Sequence, residues 1–339
     1  MRRRGVTVLV GAVLVGLLLA GLLSAPVPYV ILGAGPTVDT VGTEKGKQVI
    51  NVTGRATSDS AGQLRLTTVG VQGRTDLVAA IAAWFDRSEA VVPRELIYPP
   101  GRNEKEVDKQ NQEEFARSQT SAETAALRHL GFPVRIRVSR IVPGGAAEGV
   151  LRADDVVTGV DGKKIDSGAA LTAAIQAAPA GTRFRVAYER AGKPAAAALV
   201  SRGAGDDPPR IGVEIEQEQP HPFQLKIDVP EEIGGPSAGL MFALGIIDKL
   251  TPEDLTGGKV IAGTGTIDDA GKVGPIGGIP QKLVGARAAG ATYFLAPADN
   301  CAEAAANPVA GLTLARVSTL DEALAALADI RAGRPPKPC

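Results

Sequence analysis

Cysteine, histidine and aromatic residues are scarce in this chain, and neither sign of charge is in excess. Two cysteines and two histidines among 339 residues cannot by themselves build a Cys/His zinc site, so no metal is expected. They also leave little room for a histidine-based catalytic triad. Aromatics are 4% of the residues, with one tryptophan, so any core must be aliphatic and alanine-rich, which the 44% apolar content permits. The 37 basic residues cancel the 37 acidic ones, and only 22% of residues are charged. That balance excludes a nucleic-acid binder driven by phosphate neutralisation, and equally an acidic disordered tail. No G-x-x-x-x-G-K-[ST] run occurs, since Gly271-Lys272 is followed by Val273 and lacks the upstream glycine. Neither a nucleotide nor any other cofactor is therefore expected, and hydrolysis-powered unfolding is excluded. No internal repeat of 20–50 residues is evident.

What is present starts at the N-terminus. Met1-Arg2-Arg3-Arg4 precedes an uncharged run from Val6 to Leu23. As a helix this run would extend about 27 Å, just enough for a hydrocarbon core of roughly 30 Å. Basic residues before it and none clustered after it keep the arginines in the cytoplasm and place everything after Ser24 outside. A cleaved signal peptide is the rival reading, because Leu23-Ser24-Ala25 offers small residues, but Pro26 and Pro28 crowd that site. An extracytoplasmic chain permits disulfides, so Cys301 and Cys339 are either one bridge pinning the tail or two unrelated thiols.

Length alone predicts two or three domains. From Tyr29 to about Gly73, strand-like runs (Tyr29–Leu32, Gln48–Val52, Gln63–Val71) alternate with glycine-rich turns. Asp76–Arg87 reads as a helix with Leu77, Ala80, Ile81 and Trp84 on one face. Residues 101–114 are almost wholly polar and read as a solvated loop or surface helix, and Ser121–Leu130 as a helix ending at Gly131.

Val134–Val138 alternates like a half-buried strand. Ile141-Val142-Pro143-Gly144-Gly145-Ala146-Ala147, Leu151–Val157 and Val160-Asp161-Gly162-Lys163-Lys164-Ile165 follow. These stretches resemble a bacterial PDZ domain over about 70 residues. Asp155 stands on that family's aspartate, while Ala153-Asp154 replaces its usual Pro-Gly. The resemblance implies a peptide groove flanked by a helix at Ala169–Ala177, a closing hairpin around Ala191-Gly192, and a carboxylate-binding loop whose best candidate is Leu130-Gly131-Phe132. Gly131 and Phe132 are thus the candidate peptide-binding residues, and an extended peptide would add as a strand. A PDZ fold used only as a spacer is the plain alternative.

The chemistry lies further on. Phe223–Val229 alternates as a strand and leads into Gly234-Gly235-Pro236-Ser237-Ala238-Gly239, after which Met241–Leu250 is apolar nearly all round, as in a buried helix. Pro236 suits the first position of a helix and puts Ser237 in its first turn. Free N–H groups there, around Gly235 and Ser237, can hold an oxyanion, and the glycines allow a carbonyl to approach closely. Without a base, Ser237 would be merely a cap. Val260–Ile267 reads as a strand, followed by a turn and then Pro280-Gln281-Lys282 at a second helix start. A lysine there is opposed by the positive helix end. Burial and the dipole together would lower its pKa and make Lys282 a general base for Ser237.

G-P-S-A-G, then T-G, then G-x-V-x-P-I-G-G-I-x-x-K resembles the proteolytic domain of Lon proteases over roughly Gln224–Leu327. In that resemblance Ser237 and Lys282 fall on the nucleophile and the base, and Thr264 on the threonine that hydrogen-bonds the lysine. Departures exist: P-K-D-G-P-S-A-G becomes Glu232-Ile233-Gly234-Gly235-Pro236-Ser237-Ala238-Gly239, and T-G-E becomes Thr264-Gly265-Thr266. Gly62–Thr68 resembles the domain's opening strand and Ser121–Leu130 its first helix, which makes the PDZ segment an insertion. The whole resembles the membrane-anchored, ATP-independent Lon-like proteases of Gram-positive bacteria. The expected fold class is therefore α+β or α/β. It comprises a cytoplasmic stub and transmembrane helix (1–25), a β-rich region with the first part of the protease domain (26–130), an inserted PDZ-like β-sandwich (131–203), a mixed-sheet proteolytic domain (204–331) and a tail (332–339). The implied function is a serine endopeptidase at the plasma membrane, acting outside the cytoplasm on unfolded or flexible proteins, with a homo-oligomer compatible with it. A proteolytically inactive peptide-binding adaptor is the alternative. A tail-specific protease also pairs PDZ with Ser-Lys but lacks these motifs. His129 and His221 read as a helix-end and a loop residue, Asp268-Asp269 as a turn, and Arg287 as either a surface charge or a contact to the substrate backbone.

Overall fold

The computed structural model describes residues 2–23, 25–203, 207–230 and 233–339, with the side chains of residues 2–6, 8, 19, 20 and 22 outside that description. It divides into two units, one made of Met1–Ala125 with Leu225–Cys339 and the other of Ala126–Gln224.

The first unit opens with α1 (Arg2–Leu23), β1 (Pro26–Val27), β2 (Tyr29–Asp39), a short ribbon β3 (Thr43–Glu44) and β4 (Lys47–Gln48), then β5 (Ile50–Thr53), β6 (Gln63–Gln72) and β7 (Thr75–Asp76). α2 (Leu77–Phe85), β8 (Ala90–Pro93), α3 (Arg94–Ile97) and α4 (Glu104–His129) follow. α1 covers the run on which a membrane span is expected, but positions 6, 8, 19, 20 and 22 of that run lack a described side chain. Among the described residues no helix is long and apolar enough to cross a membrane, so the expected span is not found there.

α4 corrects a second expectation. Residues 101–114 and Ser121–Leu130 read as two separate pieces, whereas they form one helix of 26 residues. Its start is a reciprocal cap: Asn103 Oδ1 accepts from the Glu106 N–H, and Glu106 Oε2 accepts from the Asn103 N–H. This capping box satisfies two donors that no helical carbonyl can reach.

The second unit contains β9 (Arg135–Ile141), β10 (Val156–Val160), β11 (Lys163–Lys164), α5 (Gly168–Gln176), β12 (Arg183–Arg190), β13 (Lys193–Val200) and β14 (Val213–Glu218). The strands run antiparallel in the order β13-β12-β10-β9-β14, with β11 on β10. Ile136, Val138, Val157, Phe184, Val186 and Leu199 form the core beneath α5. The unit extends past the expected end at residue 203 to Gln224, because β14 closes the open edge of β9, with Ile215 opposite Val138. Asp155 is buried and receives a bidentate Arg190 at 2.7 and 2.8 Å as well as the Arg152 N–H. Burial would raise its pKa, but the Arg190 and Arg152 bonds outweigh burial and hold it below the usual value. Asp154, which stands where the resembled pattern has glycine, adopts φ +68°, a left-handed conformation that aspartate tolerates better than most residues.

The chain then completes the first unit with β15 (Gln224–Ile227), α6 (Gly239–Leu250), β16 (Val260–Gly263), β17 (Thr266–Ile267), β18 (Val273–Gly274), α7 (Ile279–Ala288), β19 (Tyr293–Pro297), α8 (Cys301–Ala306), β20 (Thr313–Val317) and α9 (Leu320–Arg331). Its main sheet runs β20-β19-β16-β6-β2-β8, the first four parallel and the last two antiparallel. β16 and β19 read as continuous apolar runs because a parallel strand covered on both faces meets no water. α6 is buried along its whole length, and α7 lies against β2 and β6.

Cys301 and Cys339 form a disulfide across 38 residues, tying the tail to the start of α8. The Arg316 N–H also donates to the Lys337 carbonyl. Closing a loop of that length in the unfolded chain is worth about 3–4 kcal/mol. Cys339→Ser should therefore lower the denaturation midpoint, and wild-type protein under reductant should fall to the same value.

Candidate active site

Ser237 sits in a single 3-10 turn (Pro236–Ala238) that feeds directly into α6. Gly235, just before it, has φ +83° and ψ 163°, a backbone region that essentially only glycine occupies. Three contacts hold this turn from its two sides. The Ser118 hydroxyl donates to the Pro236 carbonyl at 3.0 Å, while the Gly265 N–H at 2.9 Å and the Thr264 hydroxyl at 3.0 Å both donate to the Ser237 carbonyl. Gly239 is needed where the turn meets the sheet, because a Cβ there would lie 2.9 Å from Ile267.

Lys282, in the first turn and a half of α7, reaches the same point from the other side. Gly278 at φ +69° caps that helix, and a Cβ on Gly278 would lie 2.6 Å from Val69. Lys282 Nζ is 2.8 Å from Ser237 Oγ and 2.9 Å from Thr264 Oγ1, across 45 positions of sequence. Lys282 is 2% exposed and Thr264 fully buried. Burial lowers the lysine pKa from 10.5 to about 7. The sequence reading assigned part of this effect to the helix dipole, but desolvation is its cause here. When the amine is neutral, one N–H donates to Thr264 and its lone pair faces the Ser237 hydroxyl. That is the arrangement a general base needs.

The pair opens onto a cleft of about 1010 Å³ within the first unit, walled by Thr68, Val69 and Val71 of β6, Tyr98, the first half of α4 and the Pro275–Gly277 turn. Sequence reasoning missed the α4 wall. Asn111 accepts the Gly235 N–H through its carbonyl at 3.0 Å, and the Gln112 side-chain amide donates to Ile233 at 3.4 Å. The signal that would have found it was the Asn103-x-x-Glu106 cap, which starts a helix inside the polar stretch 101–114. The Asn111 contact also corrects the oxyanion assignment: the Gly235 N–H is already engaged, leaving the Ser237 N–H, which has no intrahelical acceptor at the start of its turn. Glu232, part of the sequence motif, lies outside the described residues.

Because the Gly235 Cβ position is open space, a Gly235→Ala change acts through the backbone alone. Strain of about 1–3 kcal/mol would make the turn relax and carry Ser237 with it. We expect kcat/KM to fall about tenfold or more, by the usual factor of ten for each 1.4 kcal/mol. The unfolding temperature should change little by comparison.

In the second unit the structure places the groove elsewhere than expected. Gly131 and Phe132 lie at the turn after α4, where Phe132 packs edge-on against Phe223 and accepts a hydrogen bond from Gln219 through its carbonyl. They line no part of the groove. The groove, of about 800 Å³, runs between α5 (Leu171, Ile175) and β14, closed at one end by Pro143-Gly144-Gly145 and Ile211-Gly212. β14 is an edge strand, and Ile211-Gly212-Val213, rather than Gly131-Phe132, lines the groove beside it. The error was one of chain order, since the edge strand comes last in this unit rather than first.

The remaining candidates have structural partners. Asp268 Oδ1 accepts from Ala270 and Lys272 N–H groups and shapes a turn, while Asp269 accepts from Ser121. Arg287 donates to the Ala291 and Ala310 carbonyls, away from the cleft. His221 Nδ1 lies 2.8 Å from the Gln219 carbonyl. Among the described residues no group of three or more His, Cys, Asp or Glu side chains could hold a metal ion.

Comparison with known proteins finds two kinds of domain, with the proteolytic match beginning inside the second unit, ahead of the boundary at Gln224. Residues 211–329 match the Lon protease (S16) C-terminal proteolytic domain, and residues 137–190 match the PDZ domain. Lon protease 1 of Bacillus subtilis is 36% identical over 116 residues, covering 32% of this chain and 15% of that protein. Lon protease 1 of Sorangium cellulosum is 40% identical over 109 residues, covering 31% of this chain and 13% of that protein. The chain thus spans only a small part of the length of these relatives. Among solved structures, the PDZ domain of the SdrC-like protein of Listeria innocua is 22% identical with a TM-score of 0.24, covering 26% of this chain and 99% of that one.

Proposed function

We propose that this chain is a serine endopeptidase that uses Ser237 as nucleophile and Lys282 as base. The observation that carries the reading is the 2.8 Å approach of Lys282 Nζ to Ser237 Oγ in a site where burial brings the lysine pKa to about 7. Neutral Lys282 takes the Ser237 proton as Oγ bonds to a peptide carbonyl carbon. The carbonyl electrons move onto its oxygen, which the Ser237 N–H stabilises. Collapse breaks the C–N bond, the Lys282 ammonium returns its proton to the leaving amine, and an ester remains on Ser237. Water then attacks the ester, giving a proton to Lys282 and, through it, back to Ser237. Thr264 holds the amine in line by accepting one N–H while spending its own hydroxyl proton on the Ser237 carbonyl. General base catalysis of this kind is worth about 10²–10⁴ in rate.

The substrate is an unfolded or flexible protein, since this sequence has no nucleotide-binding motif to power unfolding, and the reaction is ATP-independent. The groove beside α5 takes an extended peptide as a further strand on β14. We place the enzyme outside the cytoplasm, anchored by the apolar run that follows Arg2-Arg3-Arg4. The Cys301–Cys339 disulfide supports this, because such bonds persist in oxidising compartments. The test is casein hydrolysis without nucleotide. Loss of cleavage in both Ser237→Ala and Lys282→Ala supports the reading. Full cleavage by either variant refutes it, and no cleavage by wild type leaves the peptide-binding adaptor.

A further inference from the structure

α2 is built inside out. It carries no charged residue (LVAAIAAWF) and buries its small side chains, Ala80 and Ala83. Its large ones face outward. Trp84 is 72% and Phe85 82% exposed, and Val78 and Ile81 are half-exposed. Val78, Ile81, Ala82 and Phe85 fall at i, i+3, i+4 and i+7, one continuous face of a helix. The sequence reading put Ile81 and Trp84 on a face with Leu77 and Ala80, but the helix packs through its alanines. An apolar helical face of this kind, left exposed among the described residues, is the mark of a second apolar medium.

The neighbourhood identifies that medium. β1 pairs with β7, Pro26 opposite Asp76 and Val27 opposite Thr75, and Asp76 is the N-cap of α2. Only two residues separate Leu23, the end of α1, from Pro26, three steps with a reach of at most about 10 Å, and paired strands lie about 5 Å apart. The first turn of α2 therefore starts within roughly 15 Å of the end of α1, and α1 lies against α2. α1 presents Leu9, Val13, Leu14, Leu17 and Leu18 outward, so the two apolar surfaces adjoin. The charges flanking α2 cancel: Arg74 and Asp76 before it, Asp86 and Arg87 after it. Asp76 is spent on the Ala79 N–H, and Asp86 on Ser88.

We infer that the Val78/Ile81/Trp84/Phe85 face of α2 docks onto the lipid bilayer at the level of the headgroup–acyl boundary, as a second, interfacial membrane contact beside α1. This rests on the anchoring proposed above. Apolar faces bearing tryptophan and phenylalanine settle about 5–10 Å into that boundary, and tryptophan is enriched there. With no net charge around it, the contact is made by apolar burial and needs no anionic lipid. Holding the rim of the first unit to the membrane would fix how its catalytic cleft stands above the surface.

Trp84 is the only tryptophan, so it reports on this face alone. The experiment mixes the full-length chain with neutral phosphatidylcholine vesicles, with and without bromine on the acyl chains, and reads vesicle co-sedimentation and Trp84 emission in parallel. The expected result is co-sedimentation, a blue shift of emission, quenching by the brominated lipid, and little change on adding salt. In Ile81→Asp/Phe85→Asp, which keeps Trp84, the shift and quenching should be lost while co-sedimentation and casein cleavage persist, the cleavage showing that the variant is folded. Co-sedimentation of wild type with unquenched Trp84 overturns the docking and leaves the anchor standing. Absence of co-sedimentation overturns the anchor and the docking with it. A blue shift that grows with protein concentration in the absence of lipid, with no response to bromine, assigns the face to a second copy of the chain and overturns the proposal.

Discussion

Ser237→Ala should lower kcat on a flexible substrate by about 10³–10⁶ while leaving KM nearly unchanged, because the missing atom forms its bond only as the reaction proceeds. The fold should survive the change. Ser237 Oγ contributes one hydrogen bond, to Lys282, whereas the turn is held by its carbonyl, through Gly265 and Thr264, and those bonds remain. Unfolding temperature and substrate binding measured beside the rate distinguish this from a misfolded variant. Groups that act as one unit are strongly non-additive, so Ser237→Ala combined with Lys282→Met should be no slower than Ser237→Ala alone. Independent, multiplying losses in the double variant would show that the two side chains do not serve one step.

Lys282→Met is expected to do two opposite things: abolish cleavage and stabilise the protein at neutral pH. The folded-state pKa is about 7, against 10.5 for an unburied lysine. Between those values the unfolded chain holds more proton than the folded one, so stability rises with pH across that window and is at its lower plateau below about pH 7. At neutral pH the cost of keeping this amine unprotonated is up to about 4–5 kcal/mol, offset in part by the bonds to Ser237 and Thr264. Methionine fills a similar volume without a charge to desolvate. Its gain should be a few kcal/mol at pH 7 and shrink towards zero near pH 10. Denaturant unfolding of both proteins from pH 6 to pH 10 measures the difference, and a difference that does not vary with pH contradicts the assignment. The same titration sets the rate: wild-type kcat/KM should climb as pH rises through about 7, as the base loses its proton.

Much of the site was legible because its signals are local. Pro236 and Pro280 at helix starts, Gly235 where only glycine is tolerated, and the all-apolar Met241–Leu250 each state their conformation within a few residues. Asn111, Gln112 and Ser118 were not legible as part of the site. They are polar residues on a helix that reads as solvated, and only the return of the chain after residue 225 brings the serine turn against them. The PDZ groove failed for a related reason. Ile211-Gly212-Val213 carries no stronger local signature than Gly131-Phe132, and the choice between them depends on which strand ends at the edge of the sheet. α2 failed differently: every residue in it is apolar, so periodicity could not tell the alanine side that packs on the chain from the side that faces outward.

The sequence by itself determined the local shapes that present Ser237 and Lys282, since Pro236 and Pro280 each start a helix beside them. Only the tertiary structure decided that the amine is dry. A lysine pKa moves when surrounding elements exclude water, and α7 packs on β2 and β6, strands more than 200 residues before it that no window along the chain brings together with it.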